Sequence, residues 1–271
     1  MSRAILLVGC GKMGRALLDG WLDQGQAPAS VAIVEPEAAA RAAPAARGIA
    51  SYADFSELPE AIRPEVVVLA IKPQAMATVL PPYRRLAGPG TVFLSIAAGT
   101  SIGFLSRTLG PQAAVVRAMP NTPAAIRQGI TAVIAGRGTS DGQRAACEAL
   151  LRAVGDVVWL ADEGLMDAVT AVSGSGPAYV FLLIECLARA GIESGLPPAL
   201  AEQLARATVS GSGALARQSS EAASTLRENV TSPGGTTAAA LGVLMAPDGL
   251  QALLSRAVAA AARRSRELGA P

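Results

Sequence analysis

Ala4-Ile5-Leu6-Leu7-Val8-Gly9-Cys10-Gly11-Lys12-Met13-Gly14, followed by the helical run Arg15–Gln24, is the stretch on which the fold turns. A short apolar strand runs into G-x-G-x-x-G, a helix follows, and the next apolar strand, Val31–Val34, ends in the acidic Glu35-Pro36 about 20 positions beyond the last glycine. In such a unit the first glycine makes a tight turn, the second admits the pyrophosphate to the backbone, and the third lets helix and strand pack closely. The anion then meets the helix N-terminus, where unpaired N–H groups and the helix dipole favour negative charge. Gly9 to Gly14 with Glu35 and Pro36 are therefore the candidate dinucleotide site. A glycine-rich strand–helix turn without a ligand is the plainer reading, and it explains neither the strand before, the helix after nor the acid beyond. Glu35 suits the ribose 2′-OH of NAD(H) and repels the 2′-phosphate of NADP(H). Arg41 and Arg47, just downstream, either meet such a phosphate or are solvated helix residues, so the sequence leaves both cofactors open.

Outward from this unit, strands and helices keep alternating. Glu65–Ala70 is a continuous Val/Leu strand, the pattern of a parallel sheet buried on both faces. It enters Ile71-Lys72-Pro73 and a helix to about Leu86. Thr91–Ser95 ends in Ala97-Ala98-Gly99, and Ala113–Arg117 ends in Met119-Pro120-Asn121. Ile130–Ala135 and Val157–Leu160 flank the helix Ser140–Val154. Ligands of open parallel sheets sit beyond the carboxyl ends of the strands, where these turns fall. The only two lysines, Lys12 and Lys72, lie there as well.

From Asp162 the strand signals stop. Glu163–Val172, a helix capped by Ser175 with body Ala178–Ser194, Pro197–Gln218, Glu221–Asn229, Thr237–Met245 and Asp248–Leu268 read as helices bounded by Pro or Gly. Ala178–Ser194 is apolar nearly all round, which predicts central burial in a bundle or against a second subunit. Between two of these helices lies Val230-Thr231-Ser232-Pro233-Gly234-Gly235-Thr236-Thr237. Pro and Gly end the first helix there, Ser and Thr hydroxyls are placed to cap the second, and the free N–H groups suit a carboxylate. The expected division is 1–161, a Rossmann-like doubly wound, mostly parallel α/β domain, and 162–271, an all-α domain.

Composition removes whole classes of chemistry. The 271-residue chain has no histidine, so histidine nucleophile activation, histidine acid–base catalysis and histidine-ligated zinc are absent. Cys10, Cys147 and Cys186 are odd in number and widely spaced, which reads as reduced cytosolic thiols with no metal site. A net charge of +2 with 16% charged residues offers no nucleic-acid face. The start, Met1-Ser2-Arg3 with the strand behind it, is too short in apolar length for a signal peptide. Val169–Ala190 is apolar, but Gly174, Gly176, Pro177, Glu185 and Arg189 argue against a membrane span.

Four segments in order, Ala70–Gln74, Met119–Pro123, Val172–Tyr179 and Val230–Thr237, resemble the pyrroline-5-carboxylate reductase family over almost the full length. Gly242 and Met245 depart from the family's usual residues, just beyond the anion loop. The resemblance implies reduction of 1-pyrroline-5-carboxylate to L-proline by NADP(H) or NAD(H). It places Ala70, Ile71, Lys72, Pro73, Ala97, Ala98, Gly99, Met119 and Asn121 along the dinucleotide, with Asn121 and the Ala97–Gly99 backbone near the nicotinamide. Ser232, Gly234, Gly235, Thr236 and Thr237 would hold the substrate, and Thr237 or Thr170 would relay the proton. It also implies a homodimer of the helical domain that assembles further, up to a decamer, in the cytoplasm. A β-hydroxyacid dehydrogenase needs a catalytic lysine in its helical part, and none follows Lys72. A reductase of another cyclic imine and a non-catalytic dinucleotide sensor are the other readings; the anion loop argues against the sensor.

Overall fold

The computed structural model describes Ile5–Gly269; Ala4 of the first predicted strand and the start Met1-Ser2-Arg3 lie outside the described residues. Eight strands form one sheet in the order β3-β2-β1-β4-β5-β6-β7-β8. They are β1 (Ile5–Val8), β2 (Val31–Val34), β3 (Ala50–Tyr52), β4 (Val66–Leu69), β5 (Val92–Ser95), β6 (Ala114–Met119), β7 (Gly129–Ala135) and β8 (Gly155–Trp159). All neighbours from β3 to β6 run parallel. β7 is antiparallel to β6, with β8 parallel to β7. β1 pairs in register with both β2 and β4, Ile5 opposite Val31 and Val66, which makes it the strand from which the sheet is wound in two directions.

The apolar runs are explained by two cores on opposite sheet faces. Ile5 and Leu7 point into one with Trp21, Leu17 and Leu18 of α1 (Lys12–Asp23). The neighbouring Leu6 and Val8 point into the other with Met76, Leu80 and Tyr83. Alternate residues thus find apolar partners on both sides, and no polar face is left along the strand. α2 (Ala38–Ala46) links β2 to β3. The helix expected up to Leu86 is instead broken: a 3-10 turn at Pro73–Ala75, α3 (Met76–Val79), then a 3-10 turn at Pro81–Leu86. Pro81 and Pro82 remove two consecutive backbone donors, so an α-helical ladder cannot pass through them. α4 (Ile102–Leu109) is capped by the Ser101 hydroxyl on the Phe104 N–H, and α5 (Asp141–Arg152) by a Ser140/Gln143 capping box.

Tyr83 packs with its ring tilted against Phe55, centroids 4.5 Å apart, and Phe55 in turn carries the Arg85 guanidinium on its ring face. Its hydroxyl is buried without a hydrogen-bond partner among the described residues, and burial pushes the phenol well above its ordinary range. Tyr83→Phe should therefore leave stability unchanged or raise it by up to about 1 kcal/mol in urea denaturation. A clear loss would reveal a partner for that hydroxyl.

By compactness the chain forms two units, the residues up to Gly174 together with those from Ala262, and Ser175–Ala261. In the first, α6 (Met166–Val169) continues as a π-helical turn, Thr170–Gly174, and Ser265 donates to Asp167 at 2.6 Å. The second holds α7 (Gly176–Glu193), α8 (Pro198–Gln218), α9 (Ala223–Asn229), α10 (Thr236–Leu244) and the greater part of α11 (Leu250–Gly269). Two expectations are corrected here. Ser175 has helical backbone angles and makes no side-chain cap; it stands between the end of the π turn at Gly174 and the first residue of α7. α7 has no buried residue within one chain, and Phe181 and Leu182 are each 58% exposed, which corrects burial in a self-contained bundle and leaves the expected burial against a second subunit. The segment Glu163–Glu193 is long and apolar enough to cross a membrane by length and composition, and only 6% of its apolar window is buried.

Candidate active site

The glycine loop closes on itself through backbone contacts. Gly9 has φ +89°, donates its N–H to the Val34 carbonyl at 2.8 Å, and lies so close to Ala70 that an added Cβ would stand 2.7 Å from the Ala70 carbonyl oxygen. Where Gly14 enters α1, a Cβ would meet the Gly9 carbonyl at 2.4 Å. Gly11, the N-cap of α1, has nothing within 4 Å of its Cβ direction. The loop is thus packed from below and open above, the shape that a pyrophosphate on the helix N-terminus requires. Lys12 in this loop is exposed, Met13 is half-buried and Cys10 is buried. Burial is also the main cause that raises the Cys10 thiol's pKa, with Arg15 opposing it. Cys10 shapes the loop rather than supplying a thiolate.

Glu35 is tied to this loop. One carboxylate oxygen accepts the Cys10 N–H at 2.7 Å, and the other accepts the Glu37 N–H at 3.0 Å. Arg41, a phosphate candidate from the sequence, donates instead to the carbonyls of Glu35 and Pro36. Arg47 is paired with Asp19 at 2.6 Å.

The other predicted dinucleotide residues lie at the carboxyl ends of parallel strands. Ala70 donates to the Val8 carbonyl at 2.8 Å, linking the ends of β4 and β1, and Ile71, Lys72 and Pro73 continue outward. Ala97, Ala98 and Gly99 follow β5, with Gly99 at φ +71°. Met119 ends β6, and Asn121 follows it with its Oδ1 accepting the Ile130 N–H at 2.9 Å. The Asn121 Oδ1 therefore anchors the start of β7, and the amide NH₂ is the side chain's donor group.

Thr170 lies in the π turn and donates its hydroxyl to the Met166 carbonyl at 2.8 Å. π turns that interrupt regular helices are frequent at functional sites. Sequence reading missed this one, although Ser173-Gly174-Ser175-Gly176 within an apolar helix was its signal. In the helical unit, the Ser232–Thr237 loop is built by a turn in which the Gly235 N–H donates to the Ser232 carbonyl at 3.0 Å, with Gly234 at φ +69°. The expected Ser/Thr cap is not formed. Gly235 is the N-cap of α10 and makes no side-chain bond. α9 ends at Asn229, ahead of Pro233, and the Thr231 hydroxyl bonds back to the Arg227 carbonyl. The first intrahelical bond of α10 is Ala239 N–H to the Gly235 carbonyl at 3.2 Å. The N–H groups of Thr236, Thr237 and Ala238 therefore precede the ladder, and an uncapped N-terminus is left to an external acceptor.

Known proteins share this organisation. Residues 163–268 match the family model described as pyrroline-5-carboxylate reductase dimerisation, and residues 4–99 the one described as NADP oxidoreductase, coenzyme F420-dependent. The pyrroline-5-carboxylate reductase of Haemophilus influenzae is 38% identical over 267 residues, 98% of this chain and 97% of that protein. The solved Coxiella burnetii pyrroline-5-carboxylate reductase matches with a TM-score of 0.92 and 32% identity over 99% of each chain. The Plasmodium falciparum pyrroline carboxylate reductase, solved with NADP bound, gives 0.83 and 27% identity over 99% of this chain and 98% of that one. An open glycine loop, an acid at the end of β2 and a dimerisation region meet in one chain, and this chain belongs to the pyrroline-5-carboxylate reductase family of nicotinamide-dependent oxidoreductases.

Proposed function

We propose that the chain reduces 1-pyrroline-5-carboxylate to L-proline with NADPH or NADH. The observation that carries this reading is that a chain of this family holds two backbone features suited to anions. One is the open cradle at Gly9–Gly14, and the other is the uncapped N-terminus of α10 behind Ser232–Gly235. A dinucleotide alone needs only the first.

When bound, the reduced nicotinamide supplies the hydride. The chain's own part is to bind, orient and supply polar partners. The N–H groups of the glycine loop with the dipole of α1 hold the pyrophosphate, while the Asn121 amide and the Ala97–Gly99 backbone position the ring. Thr236–Ala238 N–H groups with the Ser232 and Thr237 hydroxyls take the substrate carboxylate and ring nitrogen. Because the Thr170 hydroxyl donates to Met166, Thr237 is the better proton relay of the two. Removing one hydrogen bond to a charged group costs about 1.5–3 kcal/mol, so Thr237→Ala should lower kcat/KM roughly tenfold to a hundredfold. Unchanged kinetics would remove Thr237 from the site.

The exposed apolar surface of α7, in a region matching the dimerisation model, supports a homodimer, and assembly up to a decamer belongs to the same reading. Two of three free cysteines are buried, which suits a cytoplasmic, reducing location. The test is consumption of NADH or NADPH, followed at 340 nm, with pyrroline-5-carboxylate supplied and then other cyclic imines. Turnover confined to other imines would move the assignment to them, and cofactor binding with no turnover would favour the sensor.

A further inference from the structure

We propose that Glu35 makes this chain select NADH over NADPH. The inference rests on the nicotinamide-dependent reading above and assigns its cofactor specificity to one side chain. Glu35 follows β2 beside β1, where the acid of this topology meets the adenosine ribose. Its carboxylate is not a mobile surface group: the Cys10 N–H at 2.7 Å and the Glu37 N–H at 3.0 Å hold both oxygens at the rim of the glycine loop. A ribose 2′-OH can donate to such an oxygen, whereas a 2′-phosphate brings like charge against it.

The nearby arginines are turned to other partners. Arg41 Nη1 donates to the Glu35 and Pro36 carbonyls, drawing the guanidinium onto the backbone of the same turn. Arg47 and Arg15 both bond Asp19, at 2.6 and 2.9 Å. From Glu35 to Ala40 the chain offers no lysine, arginine, serine or threonine, the side chains that would grip a phosphate, and Glu37 adds an exposed carboxylate. The turn therefore presents negative charge where NADPH carries its extra dianion.

The test is isothermal titration calorimetry of the full chain with NADH and NADPH separately, in the absence of imine. The expected result is NADH bound at least about tenfold more tightly. Glu35→Gln retains an acceptor for the Cys10 N–H and removes the charge. It should bring the two Kd values within about threefold, chiefly by tightening NADPH. Arg41→Ala should leave the ratio in place. Equal wild-type affinities, a ratio unmoved by Glu35→Gln, or selective loss of NADPH binding in Arg41→Ala would each overturn the proposal. Failure to bind either dinucleotide would take down the nicotinamide reading and this inference with it.

Discussion

Gly9→Ala is expected to lower stability by about 3–5 kcal/mol and to abolish measurable dinucleotide binding. Two independent costs add. An alanine at φ +89° occupies a backbone region that disfavours any Cβ, and that alone costs about 1–3 kcal/mol. The new methyl would also stand 2.7 Å from the Ala70 carbonyl oxygen and 2.9 Å from its carbon, atoms of the backbone that cannot rotate away. Ala70 is itself held by Val8 at 2.8 Å, and Gly9 by Val34 at 2.8 Å, so relief requires shifting the ends of β1, β2 and β4 together. That displacement moves the N-terminus of α1 and the Cys10 N–H on which Glu35 rests. Urea denaturation and titration with NADH read the two effects separately. Native stability with native affinity would show that the turn is not constrained as the structure has it.

Glu163→Ala should cost about 2–4 kcal/mol, the second largest effect. Arg117 rises from the middle of β6 with its side chain only 9% exposed, and it pairs with Glu163 Oε1 at 2.7 Å. The same oxygen accepts the Ile102 N–H at 2.9 Å at the start of α4. Removing the carboxylate leaves a nearly buried cation uncompensated, which is far costlier than losing an exposed pair. Glu163 is 31% exposed, so solvent moderates the loss and the lower part of the range applies. Arg117→Met combined with Glu163→Leu should recover most of the lost stability, since no charge then stays buried. A double variant as unstable as Glu163→Ala alone would mean that the pair contributes through packing instead. The Ser101 cap on Phe104 persists in all of these variants, so α4 itself should stay folded.

Legibility in the sequence followed the range of the interaction. Val66–Leu69 could be placed because both its faces are buried, and a four-residue apolar run bounded by turn residues records that in its own letters. Gly9 and Gly14 could be assigned because each answers a local backbone demand, and Gly11 because its open Cβ direction suits an approaching anion. β3 escaped notice: Ala50–Tyr52 is a three-residue, half-buried edge strand with no apolar run to mark it. The reversal of β7 was equally silent, since a strand's letters read alike whichever way its neighbour runs.

Composition, the strand–loop–helix unit and its acid were therefore determined by the sequence alone, because each depends on residues close together in the chain. The tertiary structure decided where the polar groups are engaged. It turned Glu35 onto the Cys10 N–H, 25 residues away, drew Arg41 and Arg47 onto other partners, and committed the Thr170 hydroxyl to Met166. It also left the apolar surface of α7 uncovered within one chain. A side chain's hydrogen-bond partner and a helix's covering surface are set by what folding brings alongside, and neither is written in the spacing of residues along the chain.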